Sequence, residues 1–284
     1  MVRRRFVWMV APALAFVVVM VGFPFVYTLY LSGFAFHFGA TPRSVGLGNY
    51  RALLVDPEFW NGLWVTLYLY ILALVAQLVL GFYLALLLNR TRRFRRVVRS
   101  VLISPFVLPP VVVGLMWLVI LDPSIGAANY LLTRLGLPPS LWLASPGFVI
   151  PTVALIDTWQ WTPFIALILL AGLQALPDEV FEAAAIDGAH GMALLRRVTL
   201  PLLAPSIVTA ATLRSVDLLR FFDVIYVTTQ GGPGIASETL NIYGFRQGFV
   251  FLDIGYACAL MVALTLLVLL AVGLLARMRR VVAW

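Results

Sequence analysis

The sequence predicts an all-α integral membrane protein with six transmembrane helices and both termini cytoplasmic. Three observations carry this expectation. Hydrophobic residues make up 62% of the chain and charged ones only 11%, a balance that no water-soluble domain has. The apolar residues gather into runs at or beyond the ~20 residues a bilayer requires. All 20 basic residues are arginine, and most lie beside those runs on alternate connecting segments, as the positive-inside rule requires.

The same composition excludes several functions. A formal charge of +8 would suit nucleic acid, but arginines pinned between apolar spans belong to membrane orientation, so no nucleic-acid partner is expected. Cys258 is the one cysteine and lies in an apolar run, which leaves neither a disulfide framework nor a cysteine metal site; His37 and His190 are isolated. The chain has no lysine, and a Walker A loop needs its lysine on the nucleotide phosphates, so any ATP is hydrolysed by another chain.

The first span, about 6–31, follows Arg3, Arg4 and Arg5 and runs through Pro24 and Tyr30, longer than the apolar region of a signal peptide. The polar segment 33–58 carries Arg43, Arg51, Asp56 and Glu58. It is too short for a substrate-binding domain. The second span, 60–88, is interrupted by Asn61, Thr66 and Gln77, and six arginines between Asn89 and Arg99 mark the next loop as cytoplasmic. Pro105, Pro109 and Pro110 make the third span, 101–121, irregular, which is tolerated only where neighbouring protein satisfies the freed backbone. The loop 122–146, with Arg134 alone, is external.

The fourth span, 147–176, holds Asp157, Trp159, Gln160 and Trp161. Polar groups this deep are costly unless they face a cavity. The hairpin 177–205 carries its own helical signals. Asp178 and Glu179 occupy a first turn, Gly188 and Gly191 permit a change of direction, and Pro201 and Pro205 are expected to stop a second short helix. The fifth span, 206–229, places Arg214, Asp217, Arg220 and Asp223 at successive spacings of three. Four charges cost on the order of 10 kcal/mol at a helix centre, while a dozen apolar residues return about 5. That helix cannot stand in lipid. Its charges either pair as Arg214–Asp217 and Arg220–Asp223, bond a partner, or line a path. The sixth span, 254–276, is charge-free, and Arg277, Arg279 and Arg280 follow. On this topology 14 arginines lie inside, 4 outside and two within span five.

The hairpin also carries a pattern. Glu182-Ala183-Ala184, Gly188 after three further residues, then Val198 and Leu200-Pro201 resemble the EAA signature of ATP-binding-cassette (ABC) importer permeases, with Val198 where the family usually has isoleucine. The runs Val45–Trp60 and Thr228–Gly234 resemble the corresponding loops of the maltose, trehalose and glycerol-phosphate type permeases, and the Trp-rich stretch of span four is similar to theirs.

The resemblance implies a type I ABC importer permease fold, with Glu182, Ala183, Ala184, Asp187, Gly188, Leu200 and Pro201 coupling to an ATPase. It implies a second related permease, an ATPase dimer that carries ATP and magnesium, and an extracytoplasmic sugar-binding protein, with Asn49, Tyr50, Gly231, Gly232 and Pro233 as its candidate contacts. This chain itself would carry no cofactor, bind no metal and catalyse no reaction, and would sit among lipids of a prokaryotic plasma (inner) membrane. Asp157, Trp159, Gln160, Trp161, Arg214, Asp217, Arg220 and Asp223 are the candidates for the path of a sugar, polyol or sugar phosphate. The alternative is a secondary transporter coupled to an ion gradient through the span-five charges.

Overall fold

The computed structural model describes residues 2–90 and 95–282, with side chains from 10 to 89 and from 100 to 279. The arginine side chains at 3–5, 90–99 and 280 lie outside these bounds. Among the described residues five helices are long and apolar enough to cross a membrane: Val10–Leu31, Pro57–Asn89, Val149–Gln174, Gly191–Thr228 and Ile254–Arg279. A sixth crossing requires Ser100–Val107 and Pro110–Ile120, bent by 100° to one another, to count as one span. By contact the chain divides into residues 1–60 with 243–266, and residues 61–242 with 267–284.

In the first unit, α1 (Val2–Val17) passes through a π-helical turn, Val18–Gly22, into α2 (Phe23–Leu31). None of the apolar stretch of this rod is buried within the chain. A two-stranded hairpin, β1 (Phe34–Ala35) with β2 (Arg43–Ser44), and α3 (Gly48–Val55) follow. Asn49 donates to the carbonyls of Ser32 and Phe34 at 2.8 and 2.9 Å, and the Tyr50 hydroxyl bonds Ser32 at 2.6 Å. These two residues therefore tie the loop to the end of α2.

Asp56 collects the hydroxyls of Tyr243 and Tyr256 and the backbone N–H of Glu58. Partial burial pushes its carboxyl up, but the hydrogen bonds from both tyrosines and from the Glu58 and Phe59 backbone hold it below the ordinary carboxylate value. Arg246 pairs with Glu58 beside it.

The second unit is built on three helices, α4 (Pro57–Arg90, from Asn61 onward), α8 (Val149–Gln174) and α11 (Leu200–Leu219). They meet through small residues. A β-carbon added at Gly81 would lie 2.6 Å from the Ile165 side chain, and one at Gly172 would collide with Ser206. Backbones this close gain dispersion that lipid cannot supply. Leu69, Val153, Ile156, Leu218 and Ile225 fill one end of the core and Ile165, Leu169, Leu203 and Ala210 the other.

Between these helices, α5 (Arg95–Val107) and α6 (Pro110–Ile120) turn sharply at Leu108 and Pro109, where the consecutive prolines remove two helical N–H donors. The segment that follows contains α7 (Ala127–Arg134), and Asn129 ties it together by bonding the Pro123 and Ser140 carbonyls, the Ser140 N–H and the Trp142 indole.

The hairpin begins with α9 (Asp178–Ile186), whose acidic first turn follows Pro177. Its end is a Schellman motif. The Ala189 N–H reaches the Ala184 carbonyl at 2.8 Å, and the Gly188 N–H reaches Ala185 at 3.1 Å. That closure requires a left-handed residue, and Gly188 supplies φ +75. The spacing of Gly188 behind the EAA triplet is therefore set by the geometry of a helix C-terminus.

Two expectations fail here. Pro201 and Pro205 do not stop a helix: α10 (Gly191–Leu194) continues through a π-helical turn, Leu195–Thr199, directly into α11, with Pro201 in its first turn. The π-turn has already displaced the i→i−4 pairing where Pro201 lacks its donor. The fifth span is also not one regular helix. It ends at Leu219, residues 220–222 are non-helical, and α12 (Asp223–Thr228) begins afresh. The short α13 (Leu240–Phe245) and α14 (Ile254–Val282) complete the chain.

Candidate functional site

The break after α11 opens a cavity of about 350 Å³ with a mixed polar and aromatic lining. Pro110 at the start of α6, Asp157, Gln160 and Trp161 on α8, Arg214 and Asp217 on α11, Arg220, Phe221 and Phe222 in the break, Asp223 and Val224 on α12, and Asn241 on α13 line it. Unwound backbone at membrane depth persists only where its carbonyls find partners. Here Asn241 donates to the Arg220 carbonyl at 2.8 Å and Thr239 donates to that of Phe221.

The inner wall is a closed ring of three side chains. Arg214 is 1% exposed, as is Asp157. One Arg214 nitrogen, Nη2, donates to both Asp157 oxygens, to Oδ1 at 2.6 Å, while its Nε donates to Gln77 Oε1 at 2.9 Å. Gln77 Nε2 in turn donates to Asp157 Oδ2 at 2.6 Å. The guanidinium also lies over the Trp161 ring, 4.2 Å from its centroid. A buried charge pair is tolerable when its remaining lone pairs and protons are bonded in this way.

The pairing differs from the one the spacing of three predicts. Arg214 has Asp157 as its principal partner, with Asp217 at 3.8 Å. Arg220 faces Asp217 at 3.9 Å and makes no bridge to Asp223, because the helix has ended before that step of three is complete. Asp217 and Arg220 are about half exposed.

Of the predicted path residues, Asp157, Gln160, Trp161, Arg214, Asp217, Arg220 and Asp223 converge on the cavity, and Trp159 does not. Two residues before Trp161, it points to another face of α8, packs edge-on to Trp117 at 5.6 Å and borders an apolar groove with Leu80, Leu84 and Pro105. Gln77, Phe221, Phe222 and Asn241 were missed. Gln77 had a signal, as a polar interruption of the second span. The others depend on a break that the sequence does not announce.

Gln160 is 1% exposed. Its Nε2 donates to the Leu108 carbonyl at 2.8 Å, and Oε1 has no hydrogen-bond partner among the described residues. A carbonyl can only accept, so the amide nitrogen must face Leu108 and the oxygen is left unpartnered.

The coupling candidates contribute nothing to this cavity. Glu182, Ala183, Asp187 and Gly188 are exposed on the hairpin, Ala184 is buried, and Leu200 and Pro201 open α11. Ile186, 87% exposed, and Met192, 58%, leave an apolar tip beside them. Of the loop candidates, Gly231 is buried and Gly232 and Pro233 are half-buried, bonded to themselves through Ser237, whose N–H and hydroxyl reach the Gly231 and Gly232 carbonyls.

Comparison with known proteins places this architecture. Residues 77–282 match the family model described as binding-protein-dependent transport system inner membrane component. A probable ABC transporter permease of Sinorhizobium fredii is 38% identical over 91% of this chain and 86% of its own length. The trehalose/maltose transport system permease MalF of Thermococcus litoralis is 36% identical over 92% of this chain and 88% of its own length. Among solved structures, a chain of a bacterial alginate ABC transporter, in complex with an alginate pentasaccharide-bound periplasmic protein, superposes with a TM-score of 0.86 at 21% identity over 99% of this chain and 97% of that one. At this identity the likeness establishes the fold. With six tenths or more of its length matched by the family model and relatives this similar over nearly all of it, the chain belongs to the family of inner membrane components of binding-protein-dependent transport systems.

Proposed function

We propose that this chain is one permease half of an ATP-driven importer for a saccharide or polyol, and that the solute crosses the membrane past the cavity at the α11–α12 break. The observation that carries the reading is the unpartnered, buried Oε1 of Gln160 in a cavity that also presents Trp161, Phe221 and Phe222. Ring faces pack against the C–H faces of a sugar and polar groups take its hydroxyls, the division of labour of a mostly apolar ligand site. Asp157 bonds Arg214 and Gln77 with both oxygens, so it holds the wall rather than the solute. Membership of a binding-protein-dependent transport family leaves ion-gradient coupling through the span-five charges without support.

The remaining machinery is proposed on the same footing. The chain sits in a prokaryotic plasma (inner) membrane with six crossings and both termini inside. The EAA hairpin, with its apolar tip at Ile186 and Met192, seats on an ATPase dimer that binds ATP and magnesium, and a second related permease closes the cavity. An extracytoplasmic binding protein delivers the solute; Gly232, Pro233 and the exposed Gly234 are better placed to meet it than Asn49 and Tyr50, which are engaged by the end of α2.

The test is uptake of labelled disaccharides into proteoliposomes containing the whole complex, with and without internal ATP. Uptake that needs ATP and binding protein and ignores an uncoupler is the expected result. Uptake that survives ATP depletion and collapses with the uncoupler would overturn the reading.

A further inference from the structure

The charges and hydrogen-bonding groups of the cavity differ in kind from what an anion requires. Three carboxylates, Asp157, Asp217 and Asp223, stand against two guanidiniums, Arg214 and Arg220, leaving one net negative charge. Arg214 is buried and engaged, and Arg220, though half exposed, is held beside a carboxylate that offsets its charge. Arg214 gives Nε to Gln77 and Nη2 to Asp157, and turns Nη1 to Asp217; Arg220 gives Nε to the Val216 carbonyl at 3.1 Å and Nη2 to Asp217. Anion recognition of the bidentate kind needs a free guanidinium fork.

The amides point the same way. Gln160 and Asn241, both on the lining, each donate to a backbone carbonyl, of Leu108 and Arg220, so the atom that each amide has left over is an acceptor. Asp223 is exposed on the lining, with no hydrogen bond or ion pair among the described residues. The wall is therefore rich in acceptors. A hydroxyl can donate to every one of them, whereas a fully ionised phosphate, sulfonate or carboxylate group can donate to none.

We propose that the cavity admits uncharged polyhydroxylated solutes and rejects anionic ones, including phosphorylated, sulfonated and uronic sugars. The inference rests on the cavity being the solute path. A low-dielectric cleft with a net charge concentrates its field and repels a like charge before contact, so Asp223 at the break acts as a specificity residue through its charge.

The test uses the whole transporter with Cys258→Ala as background and a single cysteine at Phe222→Cys or, independently, Asn241→Cys. Rates of modification by a cationic and an anionic methanethiosulfonate, normalised to free cysteine, report the field directly and involve no capture protein. The cationic reagent is expected to be favoured by tenfold or more, and adding Asp223→Asn should lower that preference at least threefold. A ratio within twofold of free cysteine at both positions overturns the proposal. In uptake assays with one binding protein, Asp223→Arg should raise the rate for an anionic saccharide relative to its neutral parent about fivefold, and an unmoved ratio counts against it equally. Should bulky modification at both cysteines leave uptake of the neutral sugar unchanged, the cavity is not the path, a failure of the earlier reading that the field measurement distinguishes.

Discussion

The side-chain amide of Gln160 holds the carbonyl of Leu108 at 2.8 Å, so the helix that carries the cavity acceptor also closes the gap left by the proline break between α5 and α6. One residue thus bonds the backbone of one element and keeps its second polar atom, buried on the cavity side of the proposed path, without a partner among the described residues.

Gln160→Leu is expected to remove both. Losing the bond to Leu108 leaves a buried carbonyl unpaired, at a cost of about 1–3 kcal/mol, and the solute loses an acceptor worth roughly tenfold in half-saturation. Gln160→Glu keeps an acceptor but cannot donate to Leu108 while ionised. Thermal unfolding of the purified complex and the sugar dependence of its ATPase separate the two effects. A Gln160→Leu complex with normal unfolding and normal half-saturation would sink the assignment.

Arg214→Met should be far more damaging. It strands Asp157 in a site that is 1% exposed, and removing one partner of a buried pair costs about 3–5 kcal/mol. Monodisperse complex should fall more than tenfold in size-exclusion yield. Replacing both partners, as Asp157→Leu with Arg214→Met, should recover part of that yield, because no charge is then stranded, and adding Gln77→Leu should recover more, since the buried amide otherwise loses both ring partners. Equal yields from the single and double variants would contradict the ring.

Gly188 tests the hairpin. A β-carbon there meets nothing within 4 Å, so any penalty is purely that of φ +75, about 1–2 kcal/mol for an ordinary L-residue. Asn, which tolerates this region, should be milder than Val. The ratio of sugar transported to ATP hydrolysed is expected to drop for Gly188→Val and to be largely kept for Gly188→Asn. Identical coupling in both would mean that the Schellman closure is irrelevant to docking.

Asp56 gives a pH dependence. Its hydrogen bonds hold the folded carboxyl below the ordinary 3.8, so the stability it contributes is fully present above that value and is lost as pH falls through the lower folded value. Limited proteolysis of the 33–58 segment should be flat from neutrality to about pH 5 and accelerate below pH 3.8. In Asp56→Asn the acid component should be absent. Acceleration beginning near pH 6 would point to another group.

The apolar spans and the EAA hairpin were legible because their causes are local: run length, an acidic first turn, and a glycine where a helix closes. The ring at Arg214 was only half legible. Its arginine and aspartate stood out as costly charges, but Gln77 and Asp157 lie 137 and 57 residues away, and no periodicity links them. The break at Arg220-Phe221-Phe222 contains neither glycine nor proline. It exists because Thr239 and Asn241, 18 and 21 residues on, take the carbonyls that the helix would otherwise use. The prolines misled in the opposite direction, since Pro201 sits where a helix already has a displaced hydrogen-bond ladder.

The uninterrupted run from Gly191 to Leu219 has a mechanical consequence. The 20 residues of α11 alone make a strut of ~30 Å, stiff along its axis, with its foot in the EAA hairpin and its head at Arg214. Beyond the π-helical turn at its foot the strut stays helical as far as Leu219. The first non-helical residues along it are Arg220-Phe221-Phe222, so in the proposed coupling a displacement at the hairpin would turn the chain first at the cavity wall.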